Sequence, residues 1–573
     1  MKRIFAVLLT AVFCLSLAAC GQTSAPATPN APVSSDTWPE AVVIELSDDG
    51  IGINAQTEEY EHAVEITHDI VYYEEGKDFT YGEGDASDAH SAEEADAHTV
   101  VRITQPGIYV LQGKLSAGQV AVDLGKEAKE DPNAVVTLVL NGVDITCTVA
   151  PAIIFYNVYE CGSDDVETAS KNVDTSAAGA NVIIADGTEN TVNGSYVARI
   201  YKPDSVELNE AGTEVLDAKK LHKYDAALYS KMSMNVNGGS QGTGVLNINA
   251  ENEGLDSELH LTINGGDINI RSGNDGINTN EDGVSVTTVN GGCLNIVVTG
   301  ETGEGDGIDS NGWLVINGGT VIASACRNSM DSGIDSDMGI HINGGFVLAS
   351  GHMLDRIEDG GQNYAVFNFT GTLTGGTEVT LKNANGDTAT YTPANDCSIL
   401  LVSDPFLEKG DYTLWQGDIQ LAHGGTTGGF GGPGMMGGGF RPDGMGMPGG
   451  MEFPEGFEFP EGMQFPENFE FPAPQGGMER PEAAIRPAGT EPPEMNQNGS
   501  ARLPDGSAID PSQMQRPEGM GGGRGPGGMM NGMPGGMGGG RPGTMGGAGE
   551  TERFTVFTMQ NGGNQFSGVS AAG

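Results

Sequence analysis

The chain has 573 residues, with 78 Asp and Glu against 27 Lys and Arg and a formal net charge of −51 at pH 7. That balance excludes nucleic acid and anionic lipid surfaces as direct partners, because a polyanion of this size repels both. Ninety glycines against nine histidines and seven cysteines describe a turn-rich chain that offers oxygen ligands in quantity and few of the nitrogen and sulfur ligands zinc prefers.

In chain order, Met1-Lys2-Arg3 precedes an apolar run from Ile4 to Leu17 that ends in Leu17-Ala18-Ala19-Cys20. A basic start, a short apolar core and small residues before a cleavage point form a secretory signal, and the run is too short for a membrane-spanning helix. The cysteine directly after two small residues looks like a bacterial lipobox. Residues 1–19 therefore read as a signal peptide, Cys20 as a lipidation site, and residues 20–37, rich in Ala, Pro, Ser and Thr, as a tether. The mature chain is expected to be exported and held by acyl chains on the outer face of the bacterial cytoplasmic membrane. Loss of Lys2 and Arg3 with the signal takes the charge from −51 to −53.

Residues 38–422 read as one β-rich domain. Its first part contains apolar runs such as Val135 to Leu140 and Val182 to Ile184, each followed by Asn or Asp with Gly. Asn141 and Asn193 are 52 residues apart, so a repeating unit is expected to begin irregularly near residue 100. The stretches 82–98 and 160–180 read as inserted loops. From residue 237 a regular pattern sets in. Asn-Gly-Gly recurs at Asn237, Asn264, Asn290, Asn317 and Asn343, in steps of 27, 26, 27 and 26. Alternating with it are Gly254-Leu255-Asp256-Ser257, Asp275-Gly276-Ile277-Asn278-Thr279-Asn280, Asp306-Gly307-Ile308-Asp309-Ser310-Asn311 and Ser332-Gly333-Ile334-Asp335-Ser336-Asp337. A fixed period built of short β runs and turn residues marks a solenoid. About 26 residues make three short strands and three turns, so the expected fold is all-β, a right-handed parallel β-helix.

Side chains alternate along a strand, so Ile and Ser or Thr of the second phrase point inward. Stacking then places Tyr229, Asp256, Asn278, Asp309 and Asp335 in one outward file and Lys231, Glu258, Asn280, Asn311 and Asp337 in the next. Neighbouring coils lie roughly 4.8 Å apart, and like charges at that distance repel by about 1 kcal/mol in water and several-fold more at lower dielectric. Either the file is a solvated Asn/Asp ladder or it holds calcium, which takes six to eight oxygens in flexible geometry. The candidate ligands are Asp256, Asp275, Asn278, Asn280, Asp306, Asp309, Asn311, Asp335 and Asp337. Tyr229 and Trp313 are the aromatics in the coils that could stack on sugar rings, though either is more often packing than platform.

Five cysteines follow Cys20, with scattered spacing that defines no disulfide framework, and most read as small buried hydrophobes. From about residue 423 to 549 the composition turns to Gly, Met and Pro, with a hexad starting at Glu452, Glu458 and Gln464. This cannot build a core and is expected to be a disordered insertion. Met435, Met436, Met529, Met530, Met533 and Met537 could be soft copper ligands, but they lack accompanying His or Cys. Residues 550–573 return to β-like sequence and are expected to pair back near Tyr412 to Leu421.

The chain resembles clostridial exported lipoproteins with a parallel β-helix carbohydrate-binding domain. The resemblance is carried by Gly107 to Gly113, Val136 to Ile145, Pro151-Ala152-Ile153, Gly179 to Asn190, Ala227 to Lys231 and the two alternating phrases, over roughly residues 100 to 350. It implies binding of pectic polymer and cellulose with calcium. The departures at Gly254 and Gly333, where no Asp precedes the glycine, put a ligand in those coils in doubt. A β-helix pectin lyase or polygalacturonase-like enzyme is the alternative. Fragments such as Asn278-Thr279-Asn280, Gly305-Asp306-Gly307, Gly351-His352-Met353 and Arg356-Ile357-Glu358 stand in the order expected of the hydrolase. However, Asn280 and Gly307 replace needed carboxylates, and His352 lies only four residues from Arg356, so no acid–base pair is singled out. Arg271, Arg327 and Arg356 are the bases a lyase would have available.

If Cys20 carries the anchor, Cys20→Ser releases the protein into the medium or leaves an unprocessed precursor in cell fractionation. Unchanged processing and membrane retention would remove the lipoprotein assignment.

Overall fold

The strand periods read from the sequence reappear as hydrogen-bond registers in the computed structural model, which describes residues 38–55, 60, 62–427 and 553–572. The signal, Cys20, the tether, the methionine-rich stretch and almost all of the low-complexity insertion lie outside the described residues. The described chain is all-β with large sheets.

Three ladders of parallel strands carry the repeat. The first contains Ala180–Ile184, Met234–Gly238, His260–Ile263, Val286–Val289, Trp313–Ile316 and Gly339–Ile342. Val236 pairs with Ile263, Ile263 with Val289, Val289 with Ile316 and Ile316 with Ile342, which reproduces the steps of 27, 26, 27 and 26. The second runs through Glu189–Gly194, Val245–Ala250, Asp267–Ser272, Cys293–Val298, Thr320–Ser324 and Phe346–Gly351. The third joins Ile153–Asn157, Ala226–Ser230, Glu253–Ser257 and Ile277–Thr279, and an isolated bridge from Ile277 to Ile308 continues it.

Parallel pairing begins earlier than expected, with Val42–Leu46 beside Gly107–Leu115 and that strand beside Val136–Thr146. The 52-residue spacing of Asn141 and Asn193 proves coincidental. Leu140, next to Asn141, pairs with Ile184, whereas Asn193 pairs with Thr146 and Asn249. Stacking ends at Phe346–Gly351, which pairs antiparallel with Cys397–Ser403. There a second core forms around Phe367, Tyr391, Leu414, Phe557 and Phe566. The C-terminal strands complete it, Phe557 pairing with Tyr412 and Ala571 with Leu421.

The main core is a column of stacked aliphatic side chains. Leu228, Leu255, Ile277, Ile308 and Ile334 are all fully buried, each contributing about 1.5–3 kcal/mol. The hydroxyls beside them satisfy one another, as Thr279 Oγ1 does with Ser310 Oγ at 2.9 Å. Cys147, Cys326 and Cys397 are buried free thiols.

In the Asn-Gly-Gly phrases ending at Gly292, Gly319 and Gly345 the second glycine is required on two counts. Gly319 has φ +82, and a Cβ there would lie 2.8 Å from the Gly292 carbonyl oxygen of the preceding repeat. Gly283 also has positive φ, +69, but open space around it. Gly283→Ala is therefore expected to cost about 1 kcal/mol of conformational strain, and Gly319→Ala at least about twice that, because two backbones must also part. Urea melts of the two variants check this, and equal costs would contradict it.

Candidate metal centre and binding groove

The turn between the second and third ladders sets two rows of carboxylates on the stack. Glu253, Asp275 and Asp306 each precede a glycine. The amides of Gly254, Gly276 and Gly307 donate to the carbonyls of Asp275, Asp306 and Ser332, each at 3.0 Å. The glycine leaves no room for a side chain, since a Cβ on Gly276 would lie 2.1 Å from Ile296 Cγ2. The residues in front of it are thereby turned away from the core.

The file Tyr229, Asp256, Asn278, Asp309 and Asp335 stacks in register. Tyr229 pairs with Asp256 and Asp256 with Asn278, and the amides of Asp309 and Asp335 donate to Ile277 and Ile308 carbonyls at 2.8 and 2.7 Å. The next file holds Lys231, Glu258, Asn280, Asn311 and Asp337. Amides there donate in sequence from Glu258 to the Ser230 carbonyl, Asn280 to Ser257, Asn311 to Thr279 and Asp337 to Ser310.

The files do not face solvent along their whole length. At the low-numbered end they are covered by an insertion between Ser195 and Asp225 that the sequence reading passed over. Tyr224 from this insertion stacks on His222 at 4.3 Å and meets the Tyr229 ring edge-on at 5.4 Å. Tyr229 is 0 % exposed and its hydroxyl donates to Glu258 Oε1. The expectation of Tyr229 as a sugar-stacking platform is therefore corrected: the ring is interior packing. Trp313 is half-buried at the start of its strand.

Asp256 is likewise 0 % exposed and Glu253 5 % exposed. Asn278 donates to Glu253 Oε1 at 3.2 Å, and Asn280 to Asp256 Oδ1 at 2.7 Å. The remaining oxygens Glu253 Oε2, Asp256 Oδ2 and Asn278 Oδ1 are buried without a hydrogen-bond partner, as is Asp355 Oδ2 further along. No Asp precedes Gly254, as read from the sequence, but Glu253 takes its place and presents a carboxylate there. Asp355 was missed because no repeat phrase contains it.

Asp275 Oδ1 accepts the Asp306 amide at 2.7 Å, and Asp306 Oδ1 the Ser332 amide at 2.5 Å. Burial, then neighbouring carboxylates, push the carboxyls of Glu253, Asp256, Asp275 and Asp306 well above the usual range. Burial, then Asp275 and Asp337, push Asp309 up to about 8, and burial, then Asp355 and Asp309, push Asp335 up to about 7. Arg199 lies 3.1 Å from Asp225 at the covered end. Among the described residues no Lys or Arg forms an ion pair with Asp256, Asp275, Asp306, Asp309 or Asp335. Nor do three or more His, Cys, Asp or Glu converge there as a ready metal cage. The donor set is thus distributed along the stack and mixed with Asn. Toward higher residue numbers it opens, Asp309 and Asp335 being half-buried and Asp337 exposed.

The first ladder carries a different surface. Its outward rows, Asn235, Thr262, Thr288 and Val315 beside Asn237, Asn264, Asn290, Asn317 and Asn343, floor a groove of about 740 Å³ walled by residues 171–176. The asparagines form one continuous ladder. Asn264 donates to Asn237 and Asn290 to Asn264 at 2.9 Å, then Asn317 to Asn290 and Asn343 to Asn317 at 2.8 Å.

The two later fragments that suggested a hydrolase, at His352 and Arg356, are engaged in holding loops together. His352 contacts Ser398 Oγ at 3.0 Å and the Arg327 carbonyl at 3.2 Å. Arg356 donates to the Met338 carbonyl and pairs with Glu358 at 2.7 Å.

A protein of Acetivibrio thermocellus described as a carbohydrate-binding domain-containing protein is 28 % identical over 173 residues, 30 % of this chain and 45 % of that protein. The chain thus spans less than half the length of this curated relative. A solved structure described as the polysaccharide lyase-like protein from C. thermocellum, gadolinium derivative, aligns over 53 % of this chain and 89 % of its own at 18 % identity, with a TM-score of 0.28. The model of the family described as carbohydrate-binding domain-containing protein matches residues 97–425. That is more than half of the sequence, and the chain belongs to this family.

Proposed function

We propose that the chain is an exported, lipid-anchored module that binds polysaccharide with calcium, and that its three ladders are the faces of a right-handed parallel β-helix. Strand-to-strand crossovers of this kind are right-handed in nearly all sheets. The observation that carries the calcium reading is the set of buried carboxylate and amide oxygens without a donor. Such groups cost about 1–3 kcal/mol each when left unmet, and a hard cation meets them without requiring protons. Glu253, Asp256, Asp275, Asn278, Asn280, Asp306, Asp309, Asn311, Asp335, Asp337 and Asp355 are the residues that would hold it. Bound there, calcium supplies positive charge that offsets carboxylate repulsion between coils.

The polymer proposed for this face is acidic, such as polygalacturonate. A chain of this net charge repels a polyanion unless a cation joins protein and uronate carboxylates. Asp335 and Asp337 at the open end are the groups positioned for that bridge. Binding rather than catalysis is proposed, since His352 and Arg356 of the alternative reading make structural contacts.

Two predictions follow from the charges. Asp309 and Asp335 keep protons in the folded chain up to about 8 and about 7, against about 3.9 when unfolded. Between those limits the folded state binds more protons, so its stability is expected to fall as pH rises. In chelator the melting temperature should drop from about pH 5 to about pH 8. Calcium should reduce that drop, a site at a hundred-fold excess over Kd adding about 2.7 kcal/mol. A melting temperature indifferent to chelator at the upper pH, with no calcium uptake by calorimetry, would leave only a solvated Asn/Asp face. Second, immobilised polygalacturonate should retain the protein with calcium and release it on chelation or in moderate salt. Neither reducing ends nor unsaturated uronate should accumulate. Steady product formation that disappears in an Arg271, Arg327 or Arg356 variant would favour a lyase instead.

A further inference from the structure

Asparagine followed by glycine is a chemically reactive pair, and the ladder is built of it. Glycine has no Cβ to crowd an approach, so its backbone nitrogen can attack the side-chain Cγ of the asparagine before it. The new N–C bond closes a cyclic imide while the Cγ–Nδ2 bond breaks, and the side-chain nitrogen leaves as ammonia with the glycine amide proton. Water then adds to either imide carbonyl and opens the ring to aspartate or isoaspartate. Solvent is the only co-reactant.

Asn264, Asn290, Asn317 and Asn343 are each preceded by Ile or Val and followed by Gly-Gly, and all four are exposed. The amides of Gly265, Gly291, Gly318 and Gly344 donate to no group among the described residues, so the attacking nitrogen is unengaged. Elsewhere the same pair is disarmed. The amides of Gly142 and Gly562 donate to Asn190 Oδ1 and Asn363 Oδ1, each at 2.8 Å, and that of Gly386 to the Asn383 carbonyl at 3.0 Å.

What restrains a rung is its hold on its neighbours, because attack requires the side chain to swing off the stack toward its own backbone. Asn264, Asn290 and Asn317 each donate to the rung before and accept from the rung after. Asn343 donates to Asn317 at 2.8 Å, and its own oxygen accepts from no group among the described residues. It is held on one side only. Asn237, at the other end, is half-buried, and its oxygen accepts from Asn264 at 2.9 Å.

The polarity of the ladder sends the loss one way. An amide donates and accepts, whereas a carboxylate only accepts. Once position 343 carries a carboxylate, Asn317 Oδ1 has lost its donor and faces another acceptor. Asn317 then stands as Asn343 did, held through its donation to Asn290. A carboxylate at position 237 would still accept from Asn264 and would release nothing.

We propose that Asn343 is a site of spontaneous deamidation, and that the reaction advances from it through Asn317 and Asn290 toward Asn264. This is independent of what the chain binds. Each step adds one negative charge to the floor of a groove whose charged lining residues are Lys171 and Asp174.

The test ages the full chain in warm, mildly alkaline buffer and follows each asparagine by peptide mapping with mass spectrometry, which reads the mass gain when –NH2 becomes –OH. Asn343 is expected to change first, about three- to ten-fold faster than the other three rungs, the effect of one hydrogen bond fewer. Asn317, Asn290 and Asn264 should follow in that order. In urea, where no ladder exists, the four should change at equal rates. Asn343→Asp installs the first product at the outset and should speed Asn317 by the same factor while leaving Asn264 alone. Asn343→Ala removes the donor without adding charge and decides if the first variant melts early. Asn237→Asp should leave the Asn264 rate as it was. An interior rung that changes before Asn343 overturns the inference, as does an Asn317 rate unmoved by either substitution at position 343. Acceleration of Asn264 by Asn237→Asp, or equal rates at the four rungs in the folded chain, overturns it too.

Discussion

In-register stacking of parallel strands is the constraint on which everything else in this molecule rests. Each residue in a ladder faces its counterpart one strand away at roughly 4.8 Å, so a repeating sequence lays every side chain upon its own kind. For Ile and Leu this is a gain, because the column excludes water. For Asn it is also a gain, because an amide is donor and acceptor at once and hydrogen-bonds to its copy. For Asp it is a cost, because a carboxylate only accepts and carries charge.

The two polar surfaces differ for this one reason. On the first ladder, Asn237 to Asn343 satisfy one another and leave a neutral, regularly spaced set of donors and acceptors. At the turn into the third ladder, the chain places Glu253, Asp275 and Asp306 in one row and Asp256, Asp309 and Asp335 in another, with asparagines interleaved at Asn278 and Asn280. Those amides satisfy one oxygen each of Glu253 and Asp256 and leave the other without a donor. Protonation or a cation are the two ways such a stack relieves its repulsion, and only the cation does so at neutral pH without weakening the fold.

Departures from the repeat determine which surfaces are open. The insertion between Ser195 and Asp225 roofs one end of the carboxylate files, burying Tyr229 beneath Tyr224. The loop carrying residues 171–176 rises beside the asparagine ladder and turns a flat face into a groove. At the far end, antiparallel strands and the returning C-terminal segment follow the last of the parallel strands. An open end would otherwise present unpaired backbone groups to other chains.

Much of this was legible in the sequence because strand periodicity and turn chemistry are local. The spacing of Asn-Gly-Gly gives the ladder register directly, and the paired glycines anticipate the close backbone approach at Gly319. The two outward files could be aligned from the Gly-Ile-Asp-Ser phrase even though the connecting turns differ in length, since Leu255, Ile277 and Ile308 stand 22 and 31 residues apart. The membership of Glu253 was hidden by one methylene, and that of Asp355 by its place outside the repeat. What the sequence could not decide was exposure. Whether Tyr229 meets a sugar or a buried tyrosine, and whether the asparagines floor a groove or a flat face, depends on where long irregular loops fold back. That placement is a non-local packing outcome, with no period in the sequence to announce it.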